Sequence, residues 1–206
     1  RKALKADGSP VYEFVLLYTD DVLVISENGE RVLRDGIGKY FELKEESIGP
    51  PNLYLGGRLR LVEMENGAKA WAFGASQYVQ ESVKNVERYL ESKGLKLPKK
   101  AETPIQTSYR PELDVTPELQ AADAAYYQSL IGVLRWIVEL GRVDICLETS
   151  MLSSHLALPR QGHLQQVYHM FAYLKKYHNA EMVFDPSDPV INHDVFARQD
   201  WTCSEF

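Results

Sequence analysis

Cysteine is scarce in this chain. Cys146 and Cys203 lie far apart and without metal-ligand spacing, so neither a disulfide framework nor a zinc site follows. Long apolar runs are missing too: none reaches the ~18 consecutive residues that would suggest a membrane span. The N-terminal residues carry no charged-then-apolar leader, which makes an intracellular location the expectation. The chain opens on Arg1 rather than Met, as an excerpt of a longer chain would. The five histidines, His155, His163, His169, His178 and His193, form no His-x-x-x-His pair and read as surface helix residues rather than ligands. There is no excess of cations. The net charge is −6, which argues against wholesale attraction to polyanions. There is no internal repeat and no low-complexity tract.

What is present is an ordinary globular composition, with hydrophobic residues at 45% and charged residues at 25% over 206 positions. That is enough chain for one large domain or two small ones. The charge is uneven. Between Ser76 and Arg110 seven cations face four anions, whereas from Pro111 onward six cations face thirteen anions. Any phosphate-facing surface therefore belongs to the first half.

The organising stretch is Phe14 to Ile25, two short apolar runs flanking Thr19-Asp20-Asp21. Runs of this kind read as strands buried on both faces, with the acids at the connecting turn. Adjacent carboxylates pinned there repel one another unless a cation intervenes, and magnesium, which prefers oxygen ligands, is the simplest candidate.

Further along, Val32, Leu33, Ile37, Tyr40 and Phe41 recur at helical spacing, and Phe41–Lys44 returns to extended character. Leu53–Val62 and Lys69–Phe73 form a second hairpin about Asn66-Gly67. Gly56-Gly57 signals a bulge or a close backbone approach. Ser76 is the expected N-cap of a helix striped by Val79, Val83, Val86 and Leu90 and stopped at Gly94. Pro98, Pro104 and Pro111 mark an extended linker. Thr116-Pro117-Glu118 opens the next helical region, with Leu130, Leu134 and Val138 on one face and Gly141 as its stop. Helices over Asp144–Leu156 and from Pro159 onward follow, the latter striped by Leu164, Val167, Phe171 and Leu174. Met182–Phe184 is a short strand. Trp136, Tyr126 and Tyr127 read as core.

Tyr18-Thr19-Asp20-Asp21 with its apolar flanks resembles the Tyr-x-Asp-Asp hairpin of reverse transcriptases. More narrowly, the chain resembles the polymerases of copia-type long-terminal-repeat retrotransposons. The matching pieces are Leu17–Val24, Tyr40-Phe41-Glu42-Leu43-Lys44, Tyr54-Leu55-Gly56, Ser76-Gln77-Tyr78-Val79, Tyr126–Leu134, Arg142-Val143-Asp144-Ile145 and His163–Lys175, in the family's order.

The resemblance implies an α+β fold in three parts. Residues 1–75 would be the later part of a palm (an antiparallel sheet with a helix). Residues 76–178 would be a helical thumb and connection, and 179–206 the start of an RNase H-like segment. It implies an RNA-directed DNA polymerase that moves nucleotides onto a primer 3′-hydroxyl with two magnesium ions, manganese being an alternative. Asp20 and Asp21 would be catalytic and metal-binding, joined by a third Asp upstream of Arg1, so that this chain alone would be inactive. Lys44 would be the third catalytic residue of this chain, near the incoming triphosphate, where a cation could neutralise charge or protonate the leaving group. Tyr18, Leu55, Gly56, Lys84 and Arg88 would contact nucleic acid.

The implied partners are an RNA or DNA template-primer and deoxynucleoside triphosphates, with no membrane. The implied setting is cytoplasm, nucleus or a virus-like particle. Thr19 replaces the family's usual Val, and Val143 its Pro. Arg198 stands where the RNase H motif near Asp200-Trp201 would carry its catalytic Asp, so no nuclease role follows. The alternative, in a different functional class, is a degenerate retroelement remnant acting only as a non-catalytic interaction module.

Overall fold

The structure, a computed structural model, describes residues 2–5 and 7–187; His193, Asp200, Trp201 and Cys203 lie outside them. It is a mixed helix and sheet fold. Two antiparallel ribbons come first: β1 (Lys2–Leu4) pairs with β2 (Pro10–Tyr12), and β3 (Phe14–Tyr18) with β4 (Asp21–Ile25). A single α-helical turn, α1 (Gly29–Arg31), runs on into π-helical backbone over Val32–Ile37. A four-stranded antiparallel sheet is ordered β5 (Leu53–Tyr54), β6 (Gly57–Glu63), β7 (Lys69–Gly74), β8 (Met182–Phe184). Between β7 and β8 lie α2 (Ser76–Ser92), α3 (Ala121–Glu139), α4 (Cys146–Ser153) and α5 (Gln161–Lys176).

The core sits among these helices. Val79, Val83, Val86 and Leu90 of α2 meet Leu130, Ile131, Leu134 and Ile137 of α3 and Val167, Phe171 and Leu174 of α5, all buried. The stripes anticipated for α2 and α5 are the faces that pack. On α3, Val138 is only partly buried and Ile137 takes the inward position. Tyr127 is fully buried and its hydroxyl donates to the Leu152 carbonyl at 2.7 Å, whereas Trp136 and Tyr126 lie at the rim of the core.

Both expected helix stops are Schellman caps. Gly94 (φ +70) donates to the Glu91 carbonyl and Leu95 to Leu90. Gly141 (φ +94) donates to Val138 and Arg142 to Ile137.

The helix starts came out differently. Ser76 is already inside α2, with Ala75 as the N-cap, and its hydroxyl is engaged with His178 Nδ1 at 2.8 Å. Thr116-Pro117-Glu118 is not helical. The Thr116 hydroxyl accepts from the Gly162 amide at 2.9 Å, so it caps α5 across space, and Glu118 bridges to Arg160. Nor are His163 and His169 surface residues. With Gln166 they form a buried polar stripe on α5 that clamps the proline-marked linker. His163 Nε2 donates to the Pro111 carbonyl and His169 Nε2 to Thr103, each at 3.0 Å, and Gln166 exchanges hydrogen bonds with Gln106. A segment with few apolar anchors is thus held by hydrogen bonds shielded from water.

Two expectations about the sheets are also corrected. Phe41–Lys44 forms no strand, and Tyr40 and Phe41 are 81% and 69% exposed. The β3–β4 ribbon is not buried on both faces: Phe14, Val15, Leu16, Leu17 and Tyr18 are all exposed. Among the described residues no second layer covers the ribbon, which forgoes roughly 1.5–3 kcal/mol for each such side chain left in water.

Candidate active site: the acidic hairpin tip

The apolar runs pair in register from Phe14↔Ile25 to Tyr18↔Asp21, leaving Thr19 and Asp20 as a two-residue turn. Thr19 adopts φ +53. A β-branched residue in the left-handed region is strained, and such strain persists only where the surroundings enforce it, frequently at functional sites. Asp20 and Asp21 are both exposed at the tip, and among the described residues neither forms an ion pair.

Directly opposed residues of an antiparallel pair project from the same face. Asp21 therefore shares a face with Tyr18, and that face meets the rest of the molecule. The Tyr18 ring lies 6.2 Å from the Trp136 ring of α3, tilted by 43°. β4 also packs beside β5, and burial together with the nearby Asp21 charge pushes the Tyr54 phenol above its ordinary value.

After Tyr54 the chain reverses through Leu55 (φ +53) and Gly56 (φ +83), a two-residue turn of the kind that matches strand twist. The expected bulge is thus a tight turn, and the close approach falls on Gly57. A Cβ there would come within 2.2 Å of the Phe73 ring. Leu55 tucks against the core edge, which anchors the turn beside the acidic tip.

Set against known proteins, the chain is 25% identical over 183 residues to the retrovirus-related Pol polyprotein from transposon TNT 1-94 of Nicotiana tabacum. That match covers 86% of this chain and 13% of the polyprotein. It is 29% identical over 173 residues to the putative transposon Ty5-1 protein of Saccharomyces cerevisiae, covering 82% of this chain and 50% of that protein. Its homologues are retrotransposon proteins. The retroelement-related chain thus spans half or less of the length of these curated relatives. No family model and no solved structure matches it.

The other residues singled out from this retroelement-related sequence lie away from the tip acids or on separate elements. Lys44 is exposed, just ahead of a 3-10 turn over Glu45–Ser47; among the described residues no hydrogen bond or ion pair joins it to Asp20 or Asp21. Lys84 and Arg88 sit one helical turn apart on the exposed side of α2, away from its buried stripe. No cluster of three or more His, Cys, Asp or Glu side chains that could hold a metal occurs among the described residues. Asp20 and Asp21 are adjacent exposed carboxylates, oxygen donors of the type that magnesium prefers. Sequence reasoning missed Trp136 and Tyr54 as neighbours of the tip. The signal for Tyr54 was its place in Tyr54-Leu55-Gly56, whereas nothing in its helical spacing distinguished Trp136 from a core residue.

Proposed function

We propose that the chain is part of an RNA-directed DNA polymerase of a copia-type retrotransposon, with Asp20 and Asp21 at the place where nucleotides join a primer 3′-hydroxyl. On this reading residues 1–75 are the later palm, 76–178 the thumb and connection, and 179–206 the beginning of an RNase H-like segment. The observation that carries it is the tip itself: two exposed acids without cationic partners among the described residues, held at a strained two-residue turn and backed by Tyr18, Trp136 and Tyr54.

When bound with a further carboxylate ligand, magnesium supplies activation of the attacking hydroxyl and neutralisation of the charge that develops on the pyrophosphate. The chain's own residues provide placement. Asp20 is presented at the turn, Asp21 one residue later on the strand, and the Leu55-Gly56 turn offers backbone next to them where a primer end would lie. Lys84 and Arg88 would follow the phosphates of the template-primer by charge and not by base reading. The row of exposed apolar side chains from Phe14 to Tyr18 supports the same reading, because contiguous exposed apolar surface marks an interaction site.

The test is incorporation of deoxynucleoside triphosphates on a primed RNA template by the polyprotein-length protein with magnesium. Asp20→Asn is expected to lower it by roughly a thousandfold, since the lost ligand takes several kcal/mol of transition-state stabilisation with it. Equal incorporation by the variant overturns the proposal.

A further inference from the structure

The tip is held to the helical region through few groups. β3 is exposed along its whole length and β4 lies beside β5, and the last residue before the turn, Tyr18, places its ring 6.2 Å from Trp136. Trp136 projects from a stretch of α3 that cannot give way easily: Leu134 and Ile137 on either side of it are fully buried. The turn has little slack either, being two residues long with Thr19 already strained. Because Tyr18 and Asp21 are paired directly across the ribbon, on one face, a shift of Tyr18 carries the backbone of the turn and of Asp21 with it.

We propose that Trp136 is a positioning residue for the acidic tip: by seating Tyr18, it makes the angle of the Thr19–Asp21 turn depend on α3. The catalytic consequence rests on the polymerase reading above, while the contact does not. A reacting group misplaced by about 1 Å can cost of the order of a hundredfold in rate, so a peg between helix and tip bears on turnover more than on nucleotide affinity.

The contact is read first in this chain with Trp71→Phe and Trp201→Phe, which leaves Trp136 as the sole tryptophan. Tyr18→Ala is expected to move its emission to longer wavelength and to raise quenching by acrylamide about twofold, as loss of a covering ring should. Leu17→Ala, on the opposite face of the ribbon, should change neither. Unchanged emission and quenching in Tyr18→Ala overturns the proposal.

The second arm uses the polyprotein-length protein. Trp136→Ala is expected to lower kcat for incorporation about tenfold with KM for the nucleotide within about twofold, and Trp136→Phe to recover most of the loss. A full kcat in Trp136→Ala overturns the positioning role even where the contact is present. A wild-type protein that incorporates nothing overturns the polymerase reading, and the catalytic role with it, while the fluorescence arm still decides the contact.

Discussion

Phe73 is gripped between two glycines. A Cβ on Gly57 would meet its ring at 2.2 Å, and one on Gly141 at 3.4 Å. The contact at Gly141 is an ordinary one but that at Gly57 leaves no room for a methyl, so Gly57→Ala overpacks the β6–β7 pair. We expect a loss of about 1–3 kcal/mol, read as a lower urea midpoint. At Asp144, burial pushes the carboxyl up, but the Arg142 guanidinium and the Tyr173 hydroxyl outweigh it and hold the group below the ordinary 3.8. Arg142 is almost wholly buried and bonds both Asp144 oxygens at 2.8 and 2.7 Å. A carboxyl depressed in the folded state contributes stability above its unfolded value and loses it as pH falls through the folded one. Thermal stability should therefore drop as pH falls from about 3.8 downward, and Asp144→Asn should flatten that part of the melting-temperature profile. The packing of Phe73 on Gly57 was not legible in the sequence, since it depends on which strands pair; Arg142 and Asp144 are only two residues apart, but nothing in their spacing told that Arg142 would be buried.

At the scale of elements, periodicity was informative where one face packs against a continuous core. The stripes Val79–Leu90 and Leu164–Leu174 are buried as their spacing implied, and Gly94 and Gly141 stop their helices because only their left-handed φ closes the terminal hydrogen bonds. Starts misled because a hydroxyl does not reveal which amide it serves. Thr116 sits where a local cap would be, yet its oxygen goes to Gly162, forty-six residues away. Thr116→Val should accordingly destabilise the molecule by about 0.5–2 kcal/mol, with hydrogen exchange rising at the start of α5 and not at the start of α3. At the tip, Asp20 and Asp21 were legible from their flanks. Trp136 was not legible as their neighbour, since it lies at the rim of the core on α3 and its spacing there reads as that of a core residue.

Taken as a whole, the molecule is finished on one side and unfinished on the other. The helices surround a dry core, while Leu4, Tyr12, Phe14 and Leu17 of the ribbons face solvent. No alternation in the sequence could foretell this, because apolar strands look the same whether or not something lies over them. The four-stranded sheet has the opposite character. Its outer strand β8 returns from far along the chain to pair Trp71↔Phe184 and Phe73↔Met182, and Arg60 adds hydrogen bonds to Glu181.

For any proteolytic release of this segment from a longer precursor, that closing strand matters. Scission just after His178 would peel away the seam that seals β7 and leave a bare edge open to foreign chains. A product ending at Ser187 should outlast one ending at His178 against thermolysin, with the higher melting temperature. Where such a precursor is trimmed would thus help decide whether the released piece survives.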